Sequence, residues 1–299
     1  MTPSSPAHPL RGVLLMTLAV VLFATLDATA KYLAQRYPVP FLVWSRYTVH
    51  FAVMLAVLGP SMRGRLLRTR RLLVQVLRAL ALVATTLAFF SALFRLPLAE
   101  ATALMFLTPL VVTVLAGPIL GEKVTPARWA GMAAGFAGVL LIARPGTSLS
   151  PLGVALVLGA VASLAAYHLL TRVLSGTENS FTTLFYTALI GTLAMTAVEL
   201  VQGFPAHLAL ADVPAILYLG ASGGVGHFLL IRAFHHAPAS TLMPFTFTQL
   251  VWATLFGWVA FGQLPDLPAA AGMLVIGAGG AWVAFNERAP KSRAGGDPH

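Results

Sequence analysis

Ten apolar runs, each close to the length of a bilayer-crossing helix, take up almost the whole chain. Read between Pro, Gly and charge clusters, they cover residues 11–34, 38–58, 74–94, 98–120, 127–143, 152–174, 181–203, 213–235, 239–261 and 267–286. A hydrocarbon core about 30 Å thick is crossed by roughly 20 helical residues rising about 1.5 Å each. A chain of 299 residues therefore holds ten such spans only if its loops are short. Charged residues make up 9% of the chain, against about 25% in soluble domains, which excludes an ordinary water-soluble globule. A transmembrane β-barrel is excluded too, because its lumen-facing strand positions would have to be polar.

The chain also repeats itself. At an offset of 141 residues (153 less 12) Gly12 meets Gly153, Ala19 meets Ala160 and Lys31 meets Arg172. The same offset, without a gap, sets Pro97 on Pro238, Phe106 on Phe247, Gly121 on Gly262, Gly131 on Gly272 and Gly138 on Gly279. One offset holding across both halves points to duplication. Five spans per half is an odd number, so the second copy starts on the opposite side of the membrane. The expected fold is an all-α polytopic membrane protein with ten transmembrane helices as two inverted five-helix repeats. Residues 1–10 and 287–299 are tails, 11–146 the first repeat and 151–286 the second. Inverted halves commonly enclose a midplane site in secondary transporters. A cleaved signal peptide over residues 1–30 is disfavoured, because the matching helix of the second copy lies in mid-chain.

The net charge of +10 is explained by position rather than by a nucleic-acid partner. With an intracellular N-terminus, 14 Lys/Arg face the cytoplasm: Arg11, six arginines from Arg63 to Arg78, Lys123, Arg128, Arg172, Arg232, Arg288, Lys291 and Arg293. Four, Lys31, Arg36, Arg95 and Arg144, fall on the other side. This bias sets both termini in the cytoplasm. Without cysteine there is no disulfide framework and no thiolate metal site.

The run Ala92-Leu93, Leu98-Ala99-Glu100-Ala101, Pro109, Gly121-Glu122-Lys123, Trp129, Gly131, Gly135 and Gly138 resembles the second part of an EamA domain of the drug/metabolite transporter superfamily. The second half repeats it as Arg232-Ala233-Phe234, Ala237-Pro238-Ala239-Ser240, Pro244, Gly262-Gln263, Gly272 and Gly279. Two positions depart from the family pattern: Gln263 stands for its usual glutamate and Leu250 for its usual proline. Length and pattern are most similar to the YddG-type amino-acid exporters of the bacterial inner membrane. That resemblance implies a central cavity formed by helices 1, 3, 4, 6, 8 and 9.

Polar groups at membrane depth are costly and need a partner or a cavity. Asp27 and Lys31, four apart on the first helix, read as an intrahelical ion pair, or Asp27 receives a substrate ammonium or a proton. His168, its repeat counterpart, shares that coupling role and sits beside Tyr167. On the eighth helix Gly220, Gly223 and Gly224 share the face of His227, with packing the favoured role for the glycines. On the ninth, Phe245, Gln249, Trp252 and Phe256 form one stripe, which with Thr246 reads as a cavity wall. Phe89, Phe90 and Met105 are further candidates for an adaptable apolar pocket. Arg46, on a peripheral second helix, reads as a structural charge, as does Lys31.

The chain lacks a nucleotide-binding lysine motif, a metal-ligand cluster and a recognisable catalytic constellation. No cofactor, metal or enzymatic activity is expected. Partners are a small-molecule substrate and the lipid bilayer, with the chain a monomer or weak oligomer. The expectation is an inner-membrane secondary transporter, exporting aromatic or neutral amino acids by alternating access. The alternatives are another metabolite, such as a nucleoside derivative, vitamin or drug, or an intramembrane enzyme.

Overall fold

The computed structural model describes residues 9–112, 115, 126–142, 149–175, 177–236, 242 and 245–286. Its α-helices are α1 (Pro9–Leu33), α2 (Val39–Met62), α3 (Leu72–Leu93), α4 (Leu98–Met105) and α5 (Pro126–Ile142) in the first half. The second half contains α6 (Pro151–Ser175), α7 (Ser180–Gln202), α8 (Val213–His236), α9 (Thr248–Phe261) and α10 (Leu267–Asn286). Among the described residues six helices are long and apolar enough to cross a membrane, and the shorter apolar ones lie at 98–112, 129–142, 248–261 and 267–282. Residues 1–8 and 287–299, the Gly121-Glu122-Lys123 motif and parts of the fourth and ninth spans lie outside the described residues.

Local chemistry marks the helix ends. Pro126 and Pro151 open α5 and α6, where a missing N–H costs nothing and φ is already helical. Asn179 caps α7 by accepting a hydrogen bond from the Phe181 N–H. α9 stops at Gly262, whose φ of 63° is left-handed; its N–H and that of Gln263 close on the carbonyls of Trp258 and Gly257, satisfying acceptors that hydrocarbon cannot hydrate.

The duplication is visible in helix positions and in packing. α2, α3 and α5 begin at residues 39, 72 and 126, and α7, α8 and α10 at residues 180, 213 and 267, each 141 later. α1 lies along α8 and α3 along α6, two pairings that exchange when the halves exchange. α5 packs on its own counterpart α10. There, a Cβ on Gly138 would meet the Gly272 carbonyl, and one on Gly279 would approach the Gly131 carbonyl. The two contacts are images of each other under the 141-residue shift. Phe106 and Phe247, equivalent positions, stack with centroids 5.0 Å apart. Two halves related in this way, each with an odd number of spans, form inverted repeats. The glycines of α8 also pack, with Gly220 against Val49, Gly224 against His50 and Gly226 against Phe23.

Gly272→Ala places a Cβ 2.6 Å from the Gly138 carbonyl oxygen, an obstacle that is backbone and cannot rotate away. The substitution is expected to cost about 1–3 kcal/mol by overpacking, read as a lower midpoint of thermal unfolding in detergent. Gly159→Ala, with nothing within 4 Å of its Cβ, is expected to cost nothing.

Candidate functional site

A cavity of about 510 Å³ separates the two halves. α1 supplies Met16, Val20 and Phe23, α3 supplies Arg78, and α6 supplies Tyr167, His168, Thr171 and Leu174. Glu178 lies in the connection to α7, which adds Ser180, Thr183 and Leu184; α8 adds His227 and Leu230; Thr246 and Gln249 complete the wall. Of the helices implied by the family resemblance, α4 is absent from this wall and α7 takes a place in it. The reason lies in the packing. α1 contacts α3, α4 and α9, closing its side, while α4 packs mainly on α9 and α6. Its counterpart α6 leaves the corresponding space, toward α8 and α9, as the cavity.

The cavity extends toward the face that carries the α2–α3 and α6–α7 connections. There Glu178 Oε1 accepts from the Arg70 N–H at 2.8 Å, and the Tyr186 hydroxyl donates to the Leu67 carbonyl at 2.9 Å. The opposite face is tied shut. Lys31 Nζ donates to the carbonyls of Leu93 and Leu96 at 2.7 and 2.6 Å and lies 5.4 Å from the Phe261 ring centroid. Nearby, Arg36 pairs with Asp212 at 2.8 Å, and the Tyr37 hydroxyl donates to the same carboxylate at 2.9 Å.

The expected Asp27–Lys31 ion pair is therefore not formed. Carbonyls at the end of α3 take the ammonium, because helix C-termini present unsatisfied acceptors and negative dipole ends. Asp27 Oδ2 instead accepts from Gln249 Nε2 at 3.3 Å and interacts electrostatically with Arg46. Arg46 turns inward from α2: its Nη1 donates to Thr86 Oγ1 at 3.1 Å, and its guanidinium lies 5.6 Å from the Phe90 ring centroid.

Five residues named from sequence as substrate-binding line the cavity: Tyr167, His168, His227, Thr246 and Gln249. Phe89 and Phe90 instead belong to the main core, with Met105 packed against it. Phe245 and Trp252 pack against the cluster of Met16, Val20, Ala233 and Leu242 and do not line the cavity. Helical periodicity identified the stripe on α9 but not which member reached the space. Arg78 was missed. Its place at the end of a six-arginine series groups it with the cytoplasmic charges although it falls inside the 74–94 run, and it is 3% exposed within α3. The available signal was Gln75, one turn earlier in the same apolar run and also buried.

A sequence profile described as the EamA-like transporter family matches residues 10–144 and again residues 151–285. The chain belongs to the EamA-like transporter family. A riboflavin transporter of Vibrio cholerae is 28% identical over 268 residues, covering 86% of this chain and 87% of that protein. An S-adenosylmethionine uptake transporter of Rickettsia prowazekii is 25% identical over 280 residues, covering 93% and 94%. The pseudopaline exporter CntI of Pseudomonas aeruginosa is 26% identical over 269 residues, covering 89% and 93%. A crystal structure with a TM-score of 0.66 and 22% identity, spanning 93% of this EamA-like chain and 99% of its own, shares the fold.

Lys31→Met removes both charge-assisted bonds that tie α1 to the end of α3. Each such bond is worth about 1.5–3 kcal/mol, so the variant is expected to unfold at a lower temperature in detergent. Lys31→Arg should recover part of the loss.

Proposed function

We propose that this protein is a secondary transporter of a bacterial inner membrane, moving an organic metabolite of vitamin or nucleoside size by alternating access between its halves. The cavity carries the reading. Its volume of about 510 Å³ falls within the roughly 300–1,000 Å³ typical of small-molecule sites, and it lies between inverted repeats, where transporters of this plan bind cargo. Without a nucleotide motif, the direction of net flux follows the gradients of substrate and any coupled ion. The narrower expectation of amino-acid export has less behind it, since the three relatives above are named for riboflavin, S-adenosylmethionine and pseudopaline.

In this reading Tyr167, His168, His227, Thr246 and Gln249 touch the substrate. Phe89, Phe90, Met105, Phe245 and Trp252 hold the wall in shape. Asp27 stands one hydrogen bond behind Gln249, which suits a charge-coupling role. His168, facing the cavity, is a second candidate for it. Both termini and the arginine-rich connection face the cytoplasm, so the cavity extends toward the cytoplasm.

Counterflow in proteoliposomes tests the transport reading. Saturable exchange of at least one member of a panel of vitamins, nucleosides and carboxylate-bearing metabolites is expected, and Gln249→Ala or His227→Ala should reduce it about tenfold, the loss of roughly 1.4 kcal/mol of binding. No exchange across vitamin, nucleoside, organic-acid and amino-acid panels would defeat it. Because the chain has no cysteine, single introduced cysteines test the orientation. Gly64→Cys should react with an impermeant maleimide only from the cytoplasmic side, and His207→Cys only from the periplasmic side; the reverse pattern would invert the assignment.

A further inference from the structure

Arg78 is a buried cation in the cavity wall whose hydrogen bonds all go to neutral acceptors. Nε donates to Thr171 Oγ1 at 2.6 Å, Nη1 to Thr187 Oγ1 at 2.6 Å and to the Thr183 carbonyl at 3.1 Å, and Nη2 to the Tyr167 hydroxyl at 2.7 Å. No carboxylate among the described residues lies within 4.0 Å of it. Neither carboxylate beside the cavity pairs with it: Asp27 Oδ2 accepts from Gln249, and Glu178 Oε1, at the rim, accepts from the Arg70 amide. These neutral acceptors and the Tyr167 ring, whose centroid lies 4.3 Å from the guanidinium, hold the cation, but no anion among the described residues balances its charge in a medium of low dielectric.

Two of the donors in this cluster have no acceptor among the described residues. A guanidinium has five N–H groups, and the four bonds above leave one on Nη2. The hydroxyl protons of Thr171 and Thr187 go to the carbonyls of Tyr167 and Thr183. The Tyr167 hydroxyl accepts from Arg78 and gives its own proton to no acceptor in the described structure. The free N–H and O–H thus belong to atoms 2.7 Å apart, both on residues lining the cavity. Adjacent donors beside an uncompensated positive charge match the two oxygens of a carboxylate. Phe23 and His227, with ring centroids 5.1 Å apart, add an aromatic surface to the same cavity.

We propose that Arg78 and Tyr167 form the anchor for a carboxylate on the transported molecule, so that the substrate class is an organic anion with an apolar or aromatic body. This rests on the transport reading for its consequence, but its test does not depend on flux. Binding of radiolabelled 3-phenylpropionate and of its neutral amide, 3-phenylpropionamide, is measured on the purified full chain by equilibrium dialysis in detergent. The acid is expected to bind saturably and at least about tenfold more tightly than the amide. Arg78→Gln should abolish that preference, and Tyr167→Phe, which keeps the ring and removes only the hydroxyl, should reduce it several-fold. A purely structural role for Arg78 would lower stability but leave the ratio of acid to amide unchanged in Tyr167→Phe. Equal binding of acid and amide, absent binding of the acid, or an unchanged ratio in a folded variant overturns the proposal. Riboflavin flux with equal acid and amide binding would remove the anchor and keep the transporter; acid-selective binding without flux would do the reverse.

Discussion

Hydrocarbon solvates neither charges nor backbone amides, and the arrangement of this protein follows from where it puts the few it contains. Lys31 is held by carbonyls at the end of α3, which closes one face of the bundle. Arg78 is held by hydroxyls and a carbonyl from α6 and α7, which joins the first half to the second beside the cavity. Asp27 is reached by Gln249 across the bundle. Each polar group is satisfied by a different helix, so the polar residues also fix which helices are neighbours.

The second constraint is close approach. Without a hydrophobic drive between helices in lipid, association depends on contact area, and small residues let backbones come near. The α5–α10 crossing at Gly138 and Gly272 and the α2–α8 crossing at Gly220 and Gly224 work in this way. The two-fold relation between the halves makes a single favourable crossing serve twice. It also leaves a predictable asymmetry. α1 fills the space between α3, α4 and α9, while the equivalent space beside α6 is the cavity.

The fold was largely legible because span length, the 141-residue offset and the odd count of spans are properties of the chain's order. The starts of α2, α7, α8 and α10 fall within about two residues of the apolar-run boundaries, at the usual precision of such readings. The site was legible only in part. Tyr167, His168, His227 and Gln249 stood out as polar groups at membrane depth. Phe90 and Trp252 did not differ in sequence character from an aromatic cavity wall, and only packing set them in the core or behind the wall. Arg78 was hidden by its neighbours in sequence, since an arginine near the start of a span, after five others, reads as one more cytoplasmic charge.

What the sequence determined alone was the class of solution: a membrane-embedded pair of inverted five-helix repeats, because only internally hydrogen-bonded helices can cross lipid and an odd repeat must invert. What the tertiary structure decided was the partner of each buried charge. Lys31 stands one turn from Asp27, yet bonds to carbonyls more than sixty residues away, and Arg78 bonds to hydroxyls of the other half. Spacing along a helix says which side chains can meet; the bundle around it says which meeting satisfies more hydrogen bonds.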